Sequence, residues 1–251
     1  MNYKNIFSEE KTVIFLHLPK TGGLSLVYIA STNYDSSSVY IIDERPLYSI
    51  DGQVSQSIKD LKGLPLQEKR KIKFLAGHTS FGIHEYIPNE STYITLLREP
   101  VDRVISCYYY LLANPDHLYH KDLTQNNMSF EEFLYSQDSK QFTIYDNFQV
   151  RLLSGITGVK YGKCYQEMLE AAKLNLNNFF SMVGLTEKFD DFLILCEKNL
   201  GWKFVSPQRR NVNSNRPSKN EISEKALRKI EADNALDIEL YNYVKKQVEK
   251  S

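Results

Sequence analysis

With 251 residues, 42% of them hydrophobic and 25% charged, the chain has the composition of a globular protein able to bury a sizeable core. Lys plus Arg and Asp plus Glu each total 31, so the formal net charge is zero; this argues against a general nucleic-acid or acidic-membrane binder and makes any anion recognition local. Cys107, Cys164 and Cys196 are odd in number, far apart and without a CxxC pair, a pattern of reduced thiols rather than of a zinc site or disulfide framework.

Glu9, Glu10 and Lys11 precede the first apolar run, which is far shorter than the ~20 residues a membrane span needs. Neither a signal peptide nor a membrane span is therefore expected, and a cytoplasmic location is. Val13–Leu16 is an unbroken apolar run, the pattern of a strand buried on both faces. It stops at Pro19-Lys20-Thr21-Gly22-Gly23, and Leu24-Ser25-Leu26-Val27-Tyr28-Ile29 resumes as a helix. Residues 33–72 are polar and irregular and read as a variable surface insertion. A second strand runs from Ile72 to Ala76 and ends at Gly77-His78; a third runs from Tyr93 to Leu97 and ends at Arg98. Pro100 sits where helices begin, and Val101–Ala113 continues helically. Segment 114–128 reads as loop, with short helices at Ser129–Ser136, Ile144–Leu153 and Tyr165–Leu176. Residues 179–185 form a fourth strand, 187–200 an amphipathic helix, and one or two helices of mixed charge close the chain.

Strands alternating with helices imply an α/β fold, a single domain over 1–251 with a central parallel sheet flanked by helices. Ligands of such sheets lie beyond the carboxyl ends of the strands, where Lys20–Ser25, Gly77-His78 and Arg98 all fall. A strand, a glycine turn and a helix start make an anion site: free N–H groups converge, the helix dipole adds about half a positive charge, and Lys20 adds a full one. An ordinary strand-to-helix turn is the bland alternative.

A P-loop NTPase needs GxxxxGK[ST], with lysine after the glycines and a hydroxyl on magnesium. Here Lys20 precedes Gly22-Gly23, and the nearest other match, Gly158 to Cys164, is one residue short and has Cys164 in the hydroxyl position. The strand that would carry a magnesium-binding Asp ends in Arg98. GxGxxG is absent as well. The site reads as holding anions with protein groups alone, without a metal.

"HLPKTGGLSL" followed by "LLREPVDRVISCYYY" resembles the two-part motif of sulfotransferases that use 3′-phosphoadenosine 5′-phosphosulfate (PAPS). The likeness is greatest to the carbohydrate group that includes heparan and dermatan sulfate 2-O-sulfotransferases and many bacterial relatives. It extends through "GHTSFGIHEYIP", "DNFQVRLLSG", "VGLTEKFDDFLILCEKNLGW" and "NVNSNRPS". The resemblance implies a P-loop-like nucleotide-binding architecture, PAPS as donor and 3′-phosphoadenosine 5′-phosphate (PAP) as product. It places Lys20, Thr21, Gly22, Gly23, Leu24 and Ser25 around the 5′-phosphosulfate, and Arg98 and Ser106 on the 3′-phosphate. Ser106 lies eight residues beyond Arg98, so the two share a target only if the chain folds back; Arg98 alone could instead be a structural ion pair with Glu99 or Asp102.

Residues 201–220 hold Lys203, Arg209, Arg210, Arg216 and Lys219 and no carboxylate. The matching family loop closes over the 3′-phosphate and adenine, with Asn211, Val212 and Asn213 as the contacts; a solvated basic loop is the alternative. Sulfuryl transfer also needs a base for the acceptor hydroxyl, and histidine suits neutral pH. His78 follows a strand end and a glycine directly. In the eukaryotic relatives the segment reads His-Gly-His with the first histidine as base; here that position is Ala76, which leaves His78 as the base, with His84 or a carboxylate in 33–72 as alternatives. His17 reads as a core residue or a neighbour of the site. Lys20 would also be catalytic, steadying the bridging oxygen of the leaving phosphate. The acceptor is expected to be a glycan hydroxyl; Tyr108-Tyr109-Tyr110 and Phe81 could stack on sugars but are commonly core. A non-catalytic PAP-binding module and a magnesium-dependent kinase are the competing functions.

Overall fold

The computed structural model describes residues 11–42, 56–117, 120–125, 127–136, 142–203 and 216–250. Five parallel strands, β1 (Thr12–Leu16), β2 (Val39–Ile42), β3 (Phe74–Gly77), β4 (Ser91–Leu97) and β5 (Phe180–Leu185), form one sheet in the order β2-β3-β1-β4-β5. The helices are α1 (Gly23–Ser31), α2 (Gln56–Gly63), α3 (Leu66–Lys71), α4 (Pro100–Leu112), α5 (His120–Thr124), α6 (Phe130–Tyr135), α7 (Phe148–Ser154), α8 (Gln166–Phe179), α9 (Phe189–Leu200), α10 (Glu224–Asp233) and α11 (Ala235–Val248). The expected parallel sheet flanked by helices is present.

Every residue of β1 is buried, because successive side chains enter opposite layers and both layers are covered. Ile14 and Leu16 join Leu75, Leu97 and Val183 under α8 and α11, where Met168, Ala172, Leu240 and Val244 meet them. Val13 and Phe15 join Phe74, Ile94 and Leu96 under α1 and α9, against Leu26, Ile29, Phe192 and Leu193. A further core, built from Val104, Tyr108, Phe133, Ile144 and Ile230, ties α4 to α6 and α10.

Residues 33–72 depart from the surface-insertion reading. They contain β2, an edge strand pairing Ile41 with Ala76 and Ile42 with Gly77, and the helices α2 and α3; 43–55 lie outside the described residues. Segment 114–128, read as loop, carries the short α5. The helix expected from Ile144 starts only at Phe148, because Thr143–Tyr145 is a 3-10 turn and Asn147 has a left-handed φ of 46°.

The chain leaves β1 toward β2 and leaves β4 toward β5, in opposite directions from adjacent strands. That divergence opens a crevice at their carboxyl ends, the place where open α/β sheets take ligands.

Two helix starts hold each other beside this crevice. Asp237, fully buried in the first turn of α11, accepts the N–H groups of Gln149 (3.0 Å) and Val150 (2.7 Å) at the start of α7. In return Asn147 Oδ1 accepts the N–H groups of Leu236 (2.9 Å) and Asp237 (3.0 Å). Burial raises the Asp237 carboxyl, and the Arg103 charge and the two N–H bonds oppose that rise. An Asp237→Asn variant keeps the shape but turns one acceptor into a donor facing an N–H. It should lose about 2–4 kcal/mol in urea unfolding.

Candidate functional site

The loop after β1 carries two residues in left-handed backbone. Lys20 has a φ of 68° and Gly22 a φ of 83°, so the chain turns sharply twice before α1 begins at Gly23. Glycine takes such an angle freely; for Lys20 it costs on the order of 1 kcal/mol or more, a strain typical of ligand loops. Gly23 is required by space: a Cβ there would lie 2.0 Å from His17 Cδ2. Thr21 is buried and its hydroxyl donates to the Leu18 carbonyl at 2.8 Å, so its side chain braces the loop from inside. Thr186 Oγ1 lies 2.8 Å from the Thr21 carbonyl and 3.0 Å from that of Leu97, linking the ends of β4 and β5 to the loop. Leu24 points outward and is half exposed, while Ser25 is buried.

Arg98 enters from β4. Its main chain is gripped by Gln149, whose Oε1 accepts the Arg98 N–H at 3.0 Å and whose Nε2 donates to the Arg98 carbonyl at 3.0 Å. Arg98 Nη1 donates to the Lys20 carbonyl at 2.8 Å, which joins the two loops. Its Nε (2.8 Å) and Nη2 both donate to Asp102 Oδ2. Arg216 meets the same carboxylate, with Nη1 2.7 Å from Oδ1 and Nη2 3.2 Å from Oδ2. The ion pair of Arg98 with Asp102, the structural alternative for this arginine, is thus present. Burial raises the Asp102 carboxyl, but the Arg216 and Arg98 guanidiniums outweigh it and hold the group below its usual range.

Asp102, Ser106 and Tyr110 recur every four residues and so line one face of α4. Arg98 lies along the start of that face through its bond to Asp102, which brings it to within a turn of the buried Ser106. At the far end of the face, Lys20 Nζ sits 3.7 Å from the Tyr110 ring centroid. Burial, followed by the nearby Arg98 and Arg216 charges, pulls the Lys20 ammonium down to about 8, while Cys107 opposes the shift. Lys20, Arg98 and Arg216 therefore act on one another, with Asp102 in ion pairs with both arginines and Glu187 also acting on Arg98.

The histidines divide by hydrogen bonding. His78 Nδ1 lies 2.7 Å from the His17 carbonyl. A carbonyl only accepts, so Nδ1 carries the hydrogen and the neutral ring has its lone pair on Nε2. His17 stacks on His78 with centroids 4.1 Å apart, and its own N–H continues the β1–β3 ladder to the Gly77 carbonyl at 3.0 Å. His84 is the reverse case. Tyr93 Oη accepts the N–H groups of His84 (3.0 Å) and Gly82 (3.3 Å) and lies 2.8 Å from His84 Nδ1. With both N–H groups on its oxygen, the phenol turns its own proton to Nδ1 and occupies that lone pair. Phe81 packs on Tyr93, His84, Phe179 and Phe180, and Tyr108 is core against Phe130 and Phe133. Ala76, at the family's first histidine position, is fully buried in the α1–α9 layer.

The structure thus brings Lys20, Thr21, Gly22, Gly23, Ser25, Arg98 and Ser106 to one edge, with His78 on the neighbouring strand end. Asn211, Val212 and Asn213, with Arg209 and Arg210, lie outside the described residues. Gln149 was missed by sequence reasoning, although it stands in the quoted "DNFQVRLLSG"; an uncharged amide carries no signal until its partner is known. Among the described residues no group of three or more His, Cys, Asp or Glu could hold a metal ion, and no helix is long and apolar enough to cross a membrane.

The family model described as the Sulfotransferase family matches residues 4–244, and the chain belongs to that family. Heparan sulfate 2-O-sulfotransferase 1 of Gallus gallus is 26% identical over 207 residues, covering 76% of this chain and 55% of its own length. The Drosophila melanogaster heparin sulfate O-sulfotransferase is 26% identical over 221 residues, covering 84% of this chain and 62% of its own. The chain thus spans little more than half the length of these curated relatives. Mouse sulfotransferase SULT7A1, solved in complex with PAP, aligns over 79% of this chain and 61% of its own at 12% identity and a TM-score of 0.43, a likeness too distant to bear on the site.

Gly23→Ala should lose about 1–3 kcal/mol in thermal or urea unfolding, since His17 or the loop must move to admit the methyl. A pH dependence follows from His17, whose pKa lies well below the usual histidine value through burial and then the neighbouring His78 and Lys20. Folding excludes the proton that the unfolded chain binds below ~6.5, so stability should fall with pH by up to about 1.4 kcal/mol per unit from there. His17→Asn should flatten that slope in unfolding curves taken between pH 7.5 and 5.

Proposed function

We propose that the protein is a sulfotransferase that moves a sulfuryl group from PAPS to a hydroxyl acceptor of the glycan class. The observation that carries this reading is the Lys20 carbonyl–Arg98 bond at the β1/β4 crevice, which sets a backbone-donor loop and two guanidiniums around one space. Lys20, Thr21, Gly22, Gly23, Leu24 and Ser25 would hold the 5′-phosphosulfate; Arg98, Ser106 and Arg216 would hold the 3′-phosphate. Asn211, Val212 and Asn213 are proposed for the adenine side. Family membership supports sulfuryl transfer, and the names of the curated relatives support a glycan acceptor.

In the proposed reaction the acceptor oxygen attacks sulfur in line as the bond from sulfur to the bridging phosphate oxygen breaks. The acceptor proton goes to His78 Nε2, and PAP departs with its new negative charge facing Lys20. The tautomer set by the His17 carbonyl favours this enzymatic reading over a non-catalytic PAP-binding module. A cytoplasmic setting is part of the proposal and is supported by the free thiols of Cys107, Cys164 and Cys196.

PAP without added metal should raise the melting temperature, by the equivalent of about 2.7 kcal/mol at 100 times its dissociation constant. Stabilisation by ATP with magnesium but none by PAP would overturn the reading in favour of a kinase. Once oligosaccharide screening with labelled PAPS has supplied an acceptor, His78→Ala should lower turnover by roughly 10²–10⁴ and leave PAP affinity within about twofold. A non-catalytic module would bind PAP and transfer nothing in that screen.

A further inference from the structure

Asp102 occupies an unusual place for a group beside an anion site. It puts a carboxylate on the very donors that an incoming phosphate would need: Arg98 Nε and Nη2 on one oxygen, and Arg216 on both. The Nε–Nη2 edge is the one a guanidinium offers for a forked grip on two oxygens. Two arginines 118 residues apart in the chain (216 minus 98) therefore close on one short anion of the chain's own.

Two roles are open to such a residue, and the geometry separates them. As a positioning group, Asp102 would be what keeps Arg98 in place. Arg98 is already fixed without it, since Gln149 holds its main chain on both sides and the Lys20 carbonyl holds Nη1. Nor is the carboxylate needed for the start of α4, where Glu99 Oε2 accepts the Asp102 N–H at 2.6 Å as the helix cap. The Asp102 side chain is 27% exposed, so the carboxylate already borders water.

We infer that Asp102 is an internal competitor for the nucleotide's 3′-phosphate: its carboxylate rests on Arg98 and Arg216 and gives way to the phosphate when the donor binds. This rests on the proposed donor reading. In the absence of nucleotide, Asp102 offsets the repulsion between Arg98 and Arg216. On binding, the dianion replaces a single charge, and the carboxylate regains its hydration. Asp102 thereby weakens PAP binding relative to an uncharged residue, which assists release of the product nucleotide.

The test is titration calorimetry of wild type, Asp102→Asn and Asp102→Ser with PAP and with AMP, which lacks the 3′-phosphate. Circular dichroism and melting temperature establish that each variant is folded, and the serine variant serves if the asparagine variant is not. PAP affinity should rise at least about fivefold in either variant, with AMP affinity changed by less than about twofold. Weaker or unchanged PAP binding in a folded variant would make Asp102 a positioning residue and overturn the inference. An equal gain for PAP and AMP would overturn it too, because the effect would then be general charge removal. Failure of wild type to bind PAP at all would strike the donor reading itself, a result distinct from each of these.

Discussion

The main chain of Arg98 is paired on its N–H and its C=O with one buried side-chain amide, that of Gln149, and the proposed anion site hangs on this pairing. A side-chain amide matched to a peptide in this way acts like one rung of a sheet, supplied by a residue that is not in the sheet. The rung is only as fixed as α7, a helix of seven residues, too short to persist by its own propensity. What fixes α7 is the exchange of caps with α11. Asp237 satisfies the first N–H groups of α7, and Asn147 satisfies those of α11. Helix α11 is thereby part of the support of the proposed site. Burying the Asp237 carboxylate is tolerable because its oxygens are bonded to donors that would otherwise be unsatisfied themselves.

What could be read from the sequence follows the range of the forces involved. The runs at Val13–Leu16 and Tyr93–Leu97 are apolar because both faces are covered, so the pattern shows in the residues themselves. The glycine turn and the helix that follows it are also local chemistry. β2 was not legible, since four residues at a sheet edge owe their strand to pairing with β3 and lie between polar stretches. Lys20 shows the limit at the loop. Glycines announce left-handed backbone, but here a lysine takes that conformation, enforced by Arg98 on its carbonyl and by Thr21 bracing the loop beneath. The α4 face, in contrast, was written in the spacing of residues 102, 106 and 110. Its partner was hidden because Arg98 reaches the start of that face only through its side chain, at Asp102.

The paired strand ends at His17 and His78 show how a fold can set a proton's position without a dedicated partner. Parallel neighbours place the carbonyl of one strand end beside the side chain of the next, so His78 is given its tautomer by main chain that the sheet already holds rigid. His84 receives the opposite tautomer from Tyr93, whose oxygen is organised by two N–H groups of the turn containing Gly82. Rings only six residues apart thus differ in the nitrogen that offers a lone pair, and neither difference can be seen in the residue type.

The loop and the arginines also carry a shared cost. Lys20 is held in a strained backbone, is partly stripped of water and faces two guanidiniums, each of which disfavours the unliganded state. A protein selected for stability alone would separate these charges. Their being held together by Gln149, the Lys20 carbonyl and the caps of α7 means that the cost falls before a ligand arrives. On the proposed reading an anion entering the crevice meets a loop and an Arg98 main chain that need no further ordering, and once it displaces the Asp102 carboxylate, relief of the cationic repulsion adds to its binding. Asp102 fits the same logic. It lowers the repulsion between Arg98 and Arg216 by resting on the donors that an incoming anion would take, so the two guanidiniums keep a counter-charge until that anion arrives.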